Sequence, residues 1–147
     1  MSRITRVEIH VFQFDAMNLG MAGGGVGGLS FSRGAKARLT KYAVAIMADN
    51  GLRGEYVTHW VGSSAALGQT LMLAPLLIGR EAEEREGIYD DLKREARQFD
   101  HMGHGPLDIA LWDLAGKKLK ASVSELLGAH RKRLPAYAST YHGDHSG

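Results

Sequence analysis

The 147-residue chain is long enough for a domain with its own core, and its 44% hydrophobic and 23% charged residues are ordinary globular values. A net charge of +2, with no basic run interleaved with aromatics, argues against nucleic acid as a partner. Cysteine is absent, which removes disulfides and thiolate chemistry and fits a cytoplasmic protein; no apolar run has the length of a membrane span, and Met1-Ser2-Arg3 leads into alternating residues rather than a signal peptide.

Ile4 to Phe14 alternates, with Val7, Ile9 and Val11 on one face and Arg6, Glu8 and His10 on the other, which predicts a half-buried strand. Asp15 to Lys36 reads as irregular, a mobile surface loop, because glycines concentrate between Gly20 and Gly34. Gly23-Gly24-Gly25-Val26-Gly27-Gly28 satisfies the Gly-x-Gly-x-x-Gly dinucleotide pattern in form. We reject that reading, because eight residues separate Phe14 from Gly23 and Leu-Ser-Phe-Ser-Arg-Gly after it has no helical stripe. Leu39–Ala48 is predicted as a second strand with Tyr42, Val44 and Ile46 on one face, and Leu52–Thr58 as a third. Asp49-Asn50-Gly51 joins them as an antiparallel hairpin, since Asn-Gly takes the positive φ angles of a tight turn.

Ser63 or Ser64 can cap a helix whose face includes Leu67 and Leu71, with Pro75 ending or kinking it and Gly79 closing the segment. Glu81 to Phe99 is predicted as a second helix with Ile88 and Leu92 inward and Glu81–Arg85 and Asp90–Arg94 as four-residue charge pairs. His101 and His104 read as a loop, with no carboxylate or thiolate beside them to complete a metal site. Gly105 to Lys120 is the strongest helix. Pro106 occupies its first turn, Asp108 suits the amide end and Lys117, Lys118 and Lys120 suit the carbonyl end. Leu107, Ala110, Leu111 and Leu114 share one face, and Ile109 and Trp112 are expected to widen it. Ser124–Gly128 adds a helical turn with a glycine stop, and Leu134–Tyr141 reads as a short strand.

The passage GPLDIALWDLAGKKLKASVSELLGAHRKRLPAYAST strongly resembles the point in the enolase superfamily where the N-terminal capping domain hands over to the barrel, in the mandelate racemase and muconate lactonising enzyme branch. The resemblance implies an α+β fold: a three-stranded antiparallel sheet followed by a helical bundle, leading into the first strand of a TIM-type barrel. Residues 1–130 would be the capping domain and 131–147 the linker and first barrel strand. The chain would then be the N-terminal part of a longer enzyme, since one barrel strand leaves an open edge.

The family reaction removes a proton from the carbon next to a carboxylate, and a divalent metal, Mg²⁺, holds the resulting enediolate. The resemblance therefore implies racemisation, epimerisation or dehydration of a hydroxy or sugar acid, a small carboxylate substrate, Mg²⁺ and a homo-oligomer. No position here matches a metal ligand or catalytic base of the family. The loop from Asp15 to Lys36 would screen the substrate, with Asp15 and Asn18 as candidate contacts, and the segment from Tyr56 to Gly62 would flank it with His59 and Trp60. Ser139, Tyr141 and His142 are further candidates at the end of the barrel strand. A freestanding α+β binding module without catalysis is the alternative.

Overall fold

Asn50 and Gly51 turn the chain as their chemistry dictates. Gly51 has φ +81° and donates its N–H to the Ala48 carbonyl, and the Asn50 side chain accepts from the Leu52 N–H. The turn joins β2 (Leu29–Ala48) to β3 (Arg53–Val57), antiparallel, with Val44 opposite Tyr56 and Ile46 opposite Gly54. β1 (Ile4–Met21) lies on the other side of β2, completing a three-stranded antiparallel sheet in the order β1-β2-β3. Among the described residues four α-helices follow: α1 (Ser63–Leu73), α2 (Arg85–Glu95), α3 (Gly105–Leu119) and α4 (Val123–Leu126). This computed structural model describes residues 1–21, 28–59, 63–99 and 101–137.

The chain divides into two units, Met1–Val11 with Lys41–His130, and Phe12–Thr40 with Arg131–Gly147. In the first, Tyr42, Val44 and Ile46 lie fully buried on one face of β2. They join Ile4, Leu73, Leu77, Ile88, Leu92, Leu107, Leu111 and Leu114 in one core. Burying each large side chain of this kind stabilises by about 1.5–3 kcal/mol. α3 rests directly on β3. No helix among the described residues is long and apolar enough to cross a membrane.

The strands are longer than the alternation predicts. β1 continues from Phe14 to Met21 and β2 begins at Leu29, so most of the expected irregular loop Asp15–Lys36 is strand. Pairing between strands supplies the backbone hydrogen bonds that glycines and serines cannot encode by pattern. Residues 22–27, which hold most of the glycine run, lie outside the described residues. Strand β2, not a helix, opens after Gly28.

β1 also contains a slip that strict alternation hides. Ile4 is in the core, and Val7 and Ile9 pack against the same core. Two residues on one face three positions apart require one extra residue, a bulge at Thr5–Arg6. The cross-strand partners agree: Thr5 reaches Met47, whereas Gln13 meets Thr40 and Asp15 meets Arg38, one position further on.

Other expectations are corrected. Leu71 is 55% exposed, and α1 instead buries Ala66, Thr70 and Leu73, because the 3₁₀ turn Ala74–Leu77, with Pro75 as its second residue, redirects the chain. α2 starts at Arg85, and Arg80 takes Glu84 and Asp91 as partners while Asp91 also takes Arg94. The expected Glu81–Arg85 pair does not form: Glu81 Oε2 and Arg85 Nε have no hydrogen-bond partner among the described residues, and the Arg85 guanidinium lies over the Trp112 ring at 4.5 Å. In α3 the leucine face is buried, but Ile109 is 42% exposed. Residues 131–137 form no strand and are exposed, and 138–147 lie outside the described residues.

Candidate functional site

The hairpin Phe12–Thr40 carries two of the residues singled out in the sequence. Asp15 accepts a hydrogen bond from Arg38 Nε at 3.1 Å. That bond and the guanidinium charge hold the Asp15 carboxyl below its ordinary range. Gln13 donates to Thr40 Oγ1 at 3.3 Å beside it. Asn18 adopts φ +59°, a left-handed conformation that asparagine tolerates better than most residues, and its Oδ1 accepts the Gly34 N–H at 2.9 Å. Asp15 and Asn18 therefore lie three residues apart on one strand, each engaged with β2. Both are exposed or nearly so and present polar groups from paired backbone rather than from a loose loop.

The other unit presents a second surface where β3 ends. Tyr42 is fully buried, and burial pushes its phenol up while the hydrogen bond with Thr70 opposes the shift. Tyr42 Oη lies 2.8 Å from Thr70 Oγ1, which is also 2.8 Å from the carbonyls of Ala66 and Gly103. Carbonyls only accept, so Tyr42 donates to Thr70, and the single Thr70 proton is shared between the two carbonyls. Thr58 Oγ1 donates to the Tyr42 carbonyl and accepts the Tyr42 N–H. This network ties the end of β3 to β2, to α1 and to the segment entering α3.

Thr58 and His59 follow from that anchor. With Tyr56, Ala66, Met102, Pro106 and Ile109 they line a cavity of about 240 Å³. Ile109 and Met102 are exposed because they form this wall rather than the core. Such a cavity is smaller than the ~300–1,000 Å³ that encloses a whole ligand, and an apolar wall with one imidazole suits part of one. Trp60, Ser139, Tyr141 and His142 lie outside the described residues.

The buried network was missed in the sequence because threonines at a strand end and within a helix carry no periodic signal. His101 and His104 meet edge to face at 5.6 Å, and His104 Nδ1 lies 2.9 Å from the His101 carbonyl. No three acidic, histidine or cysteine side chains gather as a metal site among the described residues. The described residues therefore do not provide the set of oxygens that Mg²⁺ takes, and no ligand is assigned to them.

Residues 28–128 match the family described as mandelate racemase / muconate lactonizing enzyme, N-terminal domain. The chain is 30% identical over 102 residues to an arabinonate dehydratase from Saccharolobus solfataricus, covering 65% of this chain and 27% of that protein. It is 34% identical over 102 residues to a D-galactonate dehydratase family member from Paenibacillus sp., covering 64% of this chain and 25% of that protein. Its fold is similar to that of L-talarate dehydratase from Polaromonas sp. JS666, solved with Mg and L-glucarate, with a TM-score of 0.68 and 24% identity over 89% of this chain and 36% of that one. The chain spans about a quarter of the length of the curated relatives it matches.

Proposed function

Because the chain belongs to the mandelate racemase / muconate lactonizing enzyme family, matching its N-terminal domain, we propose that it is the capping portion of a longer enolase-superfamily enzyme. That enzyme removes a proton from the carbon next to a carboxylate of a hydroxy or sugar acid. The observation that carries the reading is the match over residues 28–128, which spans β2, β3 and all four helices in order. Dehydration is favoured over racemisation or epimerisation, since two relatives are named as sugar-acid dehydratases. In such an enzyme Mg²⁺ would neutralise the enediolate charge; its ligands are not assigned to this chain, and no step is routed through it here.

This portion would select substrate and exclude water. Asp15 and Asn18 on the hairpin, and His59 where β3 ends, are its candidate substrate-facing groups. Asp15, held ionised by Arg38, would favour neutral hydroxyls over a second carboxylate.

The shared step gives the test. The full-length polypeptide is incubated with Mg²⁺ and a panel of hydroxy and sugar acids in D₂O, and proton NMR follows the α position while a keto-acid assay follows dehydration. Deuterium uptake or keto-acid formation with at least one acid is expected. Failure of every acid in the panel to react would overturn the reading.

A further inference from the structure

The two residues before β1 are tied to the turn between β2 and β3. Asp49 donates its N–H to the Arg3 carbonyl at 2.9 Å, and its Oδ1 accepts the Arg3 N–H at 3.1 Å. Asn50 Nδ2 donates to Ser2 Oγ at 2.9 Å. The Leu52 N–H can only donate, so it takes Asn50 Oδ1, and this leaves Nδ2 for Ser2. Ser2 is fully buried, whereas Asn50 and Gly51 are exposed.

Asparagine followed by glycine is also the pair in which a side chain reacts most readily with its own backbone. Glycine has no Cβ to hinder closure of a five-membered ring, and the space beside Gly51 is open. A bond forms between the Gly51 nitrogen and Asn50 Cγ, and the Cγ–Nδ2 bond breaks. Nδ2 leaves as ammonia, carrying the proton that the Gly51 nitrogen gives up. Water then opens the cyclic imide at one carbonyl or the other, giving aspartate or isoaspartate. The sum is asparagine and water to an acid and ammonia, with no change of oxidation state. The chain has one other asparagine, Asn18, and there the bulkier Leu19 follows.

In the folded turn both reacting groups are engaged. The Gly51 N–H is held by the Ala48 carbonyl at 3.1 Å, and the Asn50 amide by Leu52 and Ser2. Ring closure therefore waits for the turn to open locally, and its rate scales with the open fraction. We propose that Asn50 is a site of spontaneous deamidation and that the buried Ser2 hydroxyl is the clasp that slows it. Conversion would disturb the fold in two ways. Ser2 Oγ also accepts from Lys118 Nζ at 3.0 Å and gives its own proton to Glu83, so an oxygen in place of Nδ2 would face a hydroxyl with no proton to offer. Isoaspartate would lengthen the backbone of the turn that sets Ile46 opposite Gly54.

The test ages the full-length polypeptide in mildly alkaline buffer, folded and in urea. Trypsin then releases the peptide 42–53, whose amide-to-acid conversion is followed by mass spectrometry, with isoaspartyl methyltransferase labelling to identify isoaspartate. Conversion is expected at Asn50 well before Asn18, and about tenfold or more slower in the folded chain than in urea, a comparison that needs no variant. Ser2→Ala should speed conversion in the folded chain about threefold or more, as loss of one hydrogen bond allows. Lys118→Met removes the other donor to Ser2 Oγ and keeps the Asn50 bond, so it should leave the rate near that of the wild type and separates the clasp from a general loss of stability. No conversion at Asn50 in the folded chain, conversion at Asn18 just as fast, or equal rates with and without urea would overturn the proposal. So would Ser2→Ala and Lys118→Met changing the rate alike.

Discussion

A Cβ built on Gly54 would sit 2.0 Å from the carbonyl oxygen of Ala110. It would also lie 2.6 Å from the Leu114 Cβ and 2.8 Å from the Leu114 N–H nitrogen. The nearest clash is with backbone inside a helix, which cannot swing aside. Glycine at this position is what lets α3 lie directly on β3, and so sets where Pro106 and Ile109 stand relative to His59.

Gly54→Ala is therefore expected to destabilise the fold by about 3 kcal/mol or more, at the upper end of overpacking effects. Urea unfolding measures this. Gly51→Ala, in open space but at φ +81°, should cost less, about 1 kcal/mol. Equal losses would show that the α3 contact relaxes.

Thr70→Val should cost about 1–3 kcal/mol, because it leaves the buried Tyr42 hydroxyl without its acceptor and removes the hydroxyl proton shared by the Ala66 and Gly103 carbonyls. Tyr42→Phe should cost less, since Thr70 keeps its carbonyl partners. A double-mutant cycle with a coupling energy near zero would show that the two hydroxyls do not act together.

Glu83 gives a pH prediction. Partial burial works to raise its pKa, but hydrogen bonds from Lys118 and from the Ser2 hydroxyl and N–H together outweigh burial and bring the value to about 2. A carboxyl with a folded pKa below its unfolded one adds stability that is complete above the unfolded value, about 4.5, and is lost as pH falls toward 2. The side chains are about one third exposed, so solvent screening reduces the contribution to about 1 kcal/mol. Glu83→Gln should flatten the acid limb of the stability curve between about pH 4.5 and 2. An unchanged slope there would show that the pair contributes nothing.

In the full-length enzyme Asp15→Asn and His59→Ala are each expected to lower kcat/KM about tenfold or more, as substrate-facing groups do. Thermal unfolding should move little, since both side chains are exposed. Arg38→Gln should raise the Asp15 pKa toward its ordinary value and shift the acid limb of the pH–rate profile upward. Wild-type kinetics in both Asp15→Asn and His59→Ala would remove these residues from the site.

Much of the fold was legible locally. Alternation along Tyr42, Val44 and Ile46, the Asn50-Gly51 turn, Pro106 at the head of α3 and its leucine face each follow from a few neighbouring residues. The helical turn after α3 was legible from its glycine stop at Gly128, and the structure adds a capping box in which Ser122 and Glu125 satisfy each other's backbone N–H. The hairpin's extent was not legible, because Asp15–Met21 and Leu29–Lys36 are held straight by each other's backbone, and glycine and serine side chains carry little record of that pairing.

The same division applies to the candidate surfaces. The sequence by itself determined the Asn50-Gly51 hairpin and the four-helix succession, because turn chemistry and periodicity are short-range, and the family followed from the resemblance of the passage that begins at Gly105. Only the tertiary structure decided that β1 slips by one residue after Thr5, that Ile109 walls a cavity rather than the core, and that Tyr42 and Thr70 share a proton network behind Thr58. These depend on which backbone comes within hydrogen-bonding or van der Waals reach across tens of residues, and that is set by how the elements pack against one another.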